Sequence, residues 1–167
     1  MKKALLVSVF ITTLFFSKAQ EAIKVGDERT ITCTGTFMAQ VQNYFLNGTP
    51  SSVSKSFMDV QNDSLVFFTA LINAGREKQA VIKYTVAKKD LDTGDWGIEV
   101  DKTKENGADF LLLKIKTTEG KSVVSEVMYK NDKEEISDPT NRVHIYFLAD
   151  KEADAKSWAE KIKKAIQ

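Results

Sequence analysis

Residue types that do chemistry are scarce in this chain of 167 residues, which has one histidine, His144, and one cysteine, Cys33. His144 stands in "RVHIYFL" between Val143 and Ile145. A zinc site takes three or four ligands, and a general base needs a reacting group within reach. With no second His or Cys to share a site, His144 reads as a surface or half-buried strand residue. Cys33, in "TITCTG", has no partner for an internal disulfide. It reads as a small buried apolar residue, because free cysteine is among the most buried residue types. The serines of "SSVSKS" and "KSVVSE" lack the flanking glycines of a nucleophile elbow, and no glycine-rich phosphate cradle occurs. The stretch nearest to a metal loop is "DLDTGDWGIEVD", with Asp90, Asp92 and Asp101 at positions 1, 3 and 12 of an EF-hand-like count. Position 5 is Gly94, and position 6 is Asp95 where the loop needs a glycine to turn. The stretch therefore reads as a polar turn between strands. No catalytic, cofactor-binding or metal-binding residue is assigned, no cofactor is expected, and an enzyme is not the expected class.

The ends of the chain say more. "MKKALLVSVFITTLFFSKA" opens with two lysines after Met1, continues as an apolar stretch from Ala4 to Phe16, and closes on the small residues Ser17 and Ala19. That is the three-part layout of a secretory signal peptide, residues 1–19, with cleavage leaving Gln20 first. Its apolar core of about 13 residues falls short of the roughly 20 that span a bilayer. An exported bacterial protein, periplasmic or extracellular, is expected, with no transmembrane segment after cleavage. The chain carries 24 basic and 23 acidic residues, and loss of three lysines with the signal leaves it at −2. A near-neutral domain without a basic block has no electrostatic footprint for nucleic acid.

These sparse groups must be positioned by strands. "SVSKSFMDVQ" and "SLVFFTALI" flank Asn62 and Asp63 and predict a hairpin, although Leu65, Phe68 and Ile72 of the second run would also suit a helix. "KQAVIKYTV" places Ala80, Ile82, Tyr84 and Val86 on one face, and "WGIEV" places Trp96, Ile98 and Val100 on another. "DFLLLKIKTTEGKSVVSEVMY" predicts a hairpin turning at Glu119 and Gly120. "RVHIYFL" alternates Val143, Ile145 and Phe147 against His144, Tyr146 and Leu148. Seven strands are thus expected over 52–148. Ahead of them, residues 20–51 are expected to form a strand and a helix packed on the core. The helix is read from Phe37, Met38, Val41, Tyr44 and Phe45, with Gly48 as its stop. A second helix follows Asp150, its expected N-cap, with Glu152 in the first turn. At 100° per residue, Ala155, Trp158, Ala159, Ile162, Ala165 and Ile166 fall within about 120° of arc, facing a core.

Seven strands and then "YFLADKEADAKSWAEKIKKAI", a strand running into a helix with Trp158 at its centre, resemble the ending of pleckstrin homology (PH) domains. The resemblance implies, over 52–167, a β-rich α+β fold: a seven-stranded antiparallel barrel of two orthogonal sheets capped by the C-terminal helix. A lipocalin-like eight-stranded barrel is the alternative. Phosphoinositide-binding members carry a basic cluster on the first two strands, but "SVSKSFMDVQNDSLVFF" has one lysine, Lys55, and two acids. Phosphoinositide binding is therefore not implied, since a multiply phosphorylated headgroup needs charge-assisted partners. The expected function is a non-enzymatic binding or interaction module with a protein or peptide partner. The alternative is a carrier of an apolar small molecule in a barrel cavity, its wall drawn from the ten phenylalanines.

Overall fold

The computed structural model describes residues 18–42, 52–73, 79–105 and 107–167. The described residues form ten strands and one α-helix: β1 (Ala19–Lys24), β2 (Thr30–Gln42), β3 (Ser52–Gln61), β4 (Ser64–Asn73), β5 (Ala80–Ala87), β6 (Ile98–Glu105), β7 (Ala108–Lys116), β8 (Ser125–Lys130), β9 (Lys133–Ile136), β10 (Arg142–Leu148) and α1 (Glu152–Ile166). All pairings are antiparallel, in a seven-stranded sheet ordered β1-β2-β3-β4-β5-β8-β9 and a three-stranded sheet ordered β10-β7-β6. The architecture is β-rich with a C-terminal helix, as expected. The closed barrel is not. β10 lies beside β2 through side chains, Val41 meeting Phe110, Tyr146 and Leu148, but no ladder joins the two sheets.

The β3–β4 hairpin forms as its sequence predicts, with Asn62 in the left-handed region at φ 52°, a conformation asparagine tolerates. Its two faces belong to two cores. Met58, Leu65, Phe67 and, from β5, Val86 face Leu113, Ile115, Val143, Ile145 and Phe147 of the small sheet. Phe57, Val66, Phe68, Ala70 and Val81 face the other way, beneath Ile23, Val25 and Cys33 of the N-terminal hairpin. β5 is thus covered on both sides, so Val81 is as buried as Val86, rather than one face alone carrying the apolar residues.

The expected helix at residues 37–45 is a correction. Residues up to Gln42 belong to β2, while Tyr44, Phe45 and Gly48 lie outside the described residues. The register with β3 shifts between Phe37 and Ala39, which makes Met38 the extra residue of a β-bulge. Met38 and Ala39 are both buried and Phe37 is exposed. A bulge breaks the two-residue alternation, and the resulting pattern imitates a helical stripe. Just before it, Gly35 at φ 125° passes so close to β3 that a Cβ there would lie 2.3 Å from the Met58 carbonyl oxygen. Only glycine allows that approach. The bend lets β2 pair with β3 through its second half and carry β1 over the outer face through its first.

The far end of this hairpin is fastened to the β8–β9 turn. Asn131 and Asp132 both have positive φ, the demand of a tight two-residue hairpin turn. The Asp132 carboxylate accepts hydrogen bonds from the backbone N–H groups of Asp27, Glu28 and Arg29 at 2.7, 2.9 and 2.7 Å. Desolvation works to raise the Asp132 pKa, but these three donors and the Lys24 charge hold it below the ordinary aspartate value.

A second correction concerns β7 and β8, expected to pair around Glu119 and Gly120. They lie in different sheets. β7 is buried on both faces through Phe110, Leu111, Leu112, Leu113 and Ile115, so it takes the central place of the small sheet, with β6 and β10 on its edges. No edge remains for β8, which pairs with β5 instead. Trp96 also departs from expectation: it precedes β6 in a turn and is 75 % exposed.

The helix closes the main core. Ala155, Trp158, Ala159 and Ile162 are buried, with Ala165 and Ile166 partly so, against β6, β7 and β10. Its N-cap is Lys151, one residue later than expected and without a side-chain cap. Glu152 pairs with Lys156 at 2.6 Å, and Lys161 Nζ lies 4.3 Å from the Trp158 ring centroid. No helix among the described residues is long and apolar enough to cross a membrane.

Candidate functional site

Ser54 and Ser56 share the inward face of β3 with Met58, because side chains two apart on a strand share a face. They are 6 % and 3 % exposed, unusual for hydroxyls in a sheet interior. Register brings Thr69 of β4 opposite Ser56 and Leu71 opposite Ser54; Ile82 of β5 then lies opposite Thr69, with Tyr84 two residues on. Across from this row, β10 presents His144 and Tyr146. The eight side chains enclose a cleft of about 220 Å³.

Its polar groups are uncharged. Ser56 Oγ and Thr69 Oγ1 are 3.3 Å apart and share a hydrogen bond. Burial, then the charge of Glu126, pushes the Tyr84 phenol up to about 12, so it is a neutral donor. Tyr146 donates its hydroxyl proton to Glu105 at 2.6 Å. Burial, followed by the charges of Arg142 and Lys114, lowers the His144 pKa against the opposing pull of Glu105. The imidazole is therefore neutral at pH 7, with one donor and one acceptor nitrogen. His144 Nε2 is buried without a hydrogen-bond partner. An orphaned buried polar atom costs roughly 1–3 kcal/mol.

Arrayed hydroxyls around a neutral imidazole can hydrogen-bond a small uncharged polar group. No ammonium or carboxylate among the described residues lines the cleft to neutralise an ion. Among the described residues no hydrogen bond joins His144 to Ser54, Ser56 or Tyr84. His144 occupies the half-buried strand position that the alternation in "RVHIYFL" predicts. In the sequence the signal of Ser54 and Ser56 is their spacing of two ahead of Met58, which puts polar residues on a core face, rather than any nucleophile motif.

The other sequence candidates go elsewhere. Cys33 is buried in the second core, and burial, then Glu21, pushes its thiol up to about 12, leaving no reactive thiolate. Asp92 accepts a hydrogen bond from Gly94 N–H within its own turn, Asp101 pairs with Lys114, and Asp90 lies in a short 3-10 turn. Among the described residues no three His, Cys, Asp or Glu side chains are grouped to hold a metal. Lys55 stands outside the cleft, paired with Glu21 at 2.7 Å. Comparison with family models, curated proteins and solved structures gives no match in any of the three.

Proposed function

We propose that this chain is an exported, non-enzymatic binding module of PH-like design, and that its recognition site is the hydroxyl-lined cleft between β3, β4, β5 and β10. The observation that carries the reading is the neutral polar lining of the cleft, to which Ser54, Ser56, Thr69, Tyr84 and His144 contribute. A volume of about 220 Å³ is roughly seven times that of one water, room for a small uncharged polar group. The ligand is such a group, presented by a protein or peptide partner or as a free small molecule. The PH-like reading is supported by the final strand and the helix whose Trp158 enters the core. Export is supported by the sequence of the first 19 residues, most of which lie outside the described ones.

Native mass spectrometry of protein purified from its own envelope fraction tests this, run beside Ser56→Val and His144→Phe. A polar adduct or stoichiometric polypeptide, retained by the wild type and lost from both variants, is expected. A fatty acid or other apolar adduct would make the protein a carrier and overturn the reading, as would a partner that both variants retain.

A further inference from the structure

A second pocket, sharing no lining residue with the cleft, is built from three turns. One runs from Leu91 to Gly97, the next from Thr117 to Lys121, and the last from Thr140 to Arg142. Hydrogen bonds fasten them to one another and to the end of β7: Asp92 N–H donates to Lys116 O, Lys116 N–H to Gly97 O, Thr117 N–H to Asn141 O, and Thr118 Oγ1 to Leu91 O, at 2.8 to 3.2 Å. Gly97 is obligatory, because a Cβ there would lie 2.0 Å from the Asp92 carbonyl oxygen. The turns enclose a pocket of about 290 Å³ lined by Asp92, Trp96, Lys116, Glu119, Asn141 and Arg142 among others.

A lone exposed apolar residue needs no explanation. Trp96 differs because a tightly closed, hydrogen-bonded turn holds its indole 75 % exposed at the rim of a shaped pocket. Turns held on a rigid scaffold are where recognition concentrates, and pre-ordering them lowers the entropy lost on binding. Two acids, Asp92 and Glu119, balance two bases, Lys116 and Arg142. Lys116 is already paired with Glu99 at 2.6 Å and Glu119 with Lys121 at 3.1 Å. The balance favours an uncharged ligand. It needs one flat apolar face for the indole and a polar edge for the Asn141 carboxamide, the Arg142 guanidinium and the second oxygen of Asp92.

We infer that this pocket binds a neutral sugar, the C–H face of a pyranose ring stacking on Trp96 while its hydroxyls bond Asn141, Arg142 and Asp92. The inference is independent of the cleft. The indole N–H resonances of the two tryptophans report it directly, with Trp158 as the internal reference. Methyl β-glucoside, methyl β-galactoside and methyl α-mannoside are the probes, with glucuronate and N-acetylphenylalanine amide as charged and peptide-like controls. At least one glycoside should shift the Trp96 signal saturably below about 100 mM, the range that captures millimolar affinities, and leave Trp158 unmoved. Trp96→Ala, judged by protection of other pocket amide signals, should weaken binding at least tenfold, and Asn141→Ala severalfold. No saturable shift with any glycoside overturns the inference. A shift with the phenylalanine amide alone overturns it too and makes the pocket a peptide site.

Discussion

Trp158→Ala tests whether α1 closes the main core. Trp158 is 6 % exposed and contributes to the largest apolar cluster. Burying a large aromatic removes up to ~250 Å² from water, which at ~25 cal/mol per Å² is about 6 kcal/mol. A compact unfolded state reduces this by roughly 10–40 %, to roughly 4–5.5 kcal/mol. The retained Ala side chain brings the loss to the lower end, about 4 kcal/mol, inside the roughly 3–5 kcal/mol range for deleting a buried tryptophan. For a domain of this size about 4 kcal/mol lowers Tm by roughly 8–16 °C. Urea and thermal unfolding followed by circular dichroism provide the assay. Trp158→Phe should recover a good part of the loss, and remains measurable if the alanine variant does not fold. Trp96→Ala, at a residue 75 % exposed, is the matched control and should stay within about 0.5 kcal/mol of wild type. A loss below about 1 kcal/mol for Trp158→Ala, well short of what core truncation costs, would refute the packing argument.

Asp132 has a depressed folded pKa, so its contribution is complete above the unfolded value of about 3.9 and is lost as pH falls through the lower folded one. Asp132→Ala should flatten the acid limb of stability and accelerate amide exchange in the β1–β2 hairpin; unchanged exchange there would remove Asp132 as its anchor. His144 also has a lowered pKa. Below about pH 6.5 the unfolded chain takes its proton first, so stability falls until the folded site protonates as well. His144→Gln should abolish that slope, and an identical pH profile for the variant would contradict burial of a neutral ring. Intact-mass analysis of exported protein should begin at Gln20, and a retained Met1 would exclude cleavage. Processing there would also take Lys18 from Asp59, its partner at 2.8 Å, so the Asp59 carboxyl should titrate higher in the processed chain than in the precursor.

Local pattern was enough for the elements whose partners lie next to them. The β3–β4 hairpin needs only two apolar-rich runs of strand length on either side of a turn with a tolerant Asn62. The run in β4, buried on both faces, carries no alternation of its own. β10 and α1 are legible because each buries one face, and its apolar spacing repeats with its own backbone geometry. Features that depend on which surfaces distant segments have already covered were not legible. β7 and β8 read as a hairpin, yet β7 had both edges occupied by β6 and β10. Met38 read as helical because a bulge scrambles alternation, and the bulge has meaning only against β3. Two tryptophans of equal local promise were separated by packing, one sealed beneath the helix and one held open on a closed turn. The turn of the N-terminal hairpin over the second core is tied down by Asp132, which grips backbone 103 to 105 residues away, a contact no window of sequence contains. The cleft has the same origin. Its serines and its histidine lie on strands of different sheets, and only the meeting of those sheets brings the histidine to a row of hydroxyls.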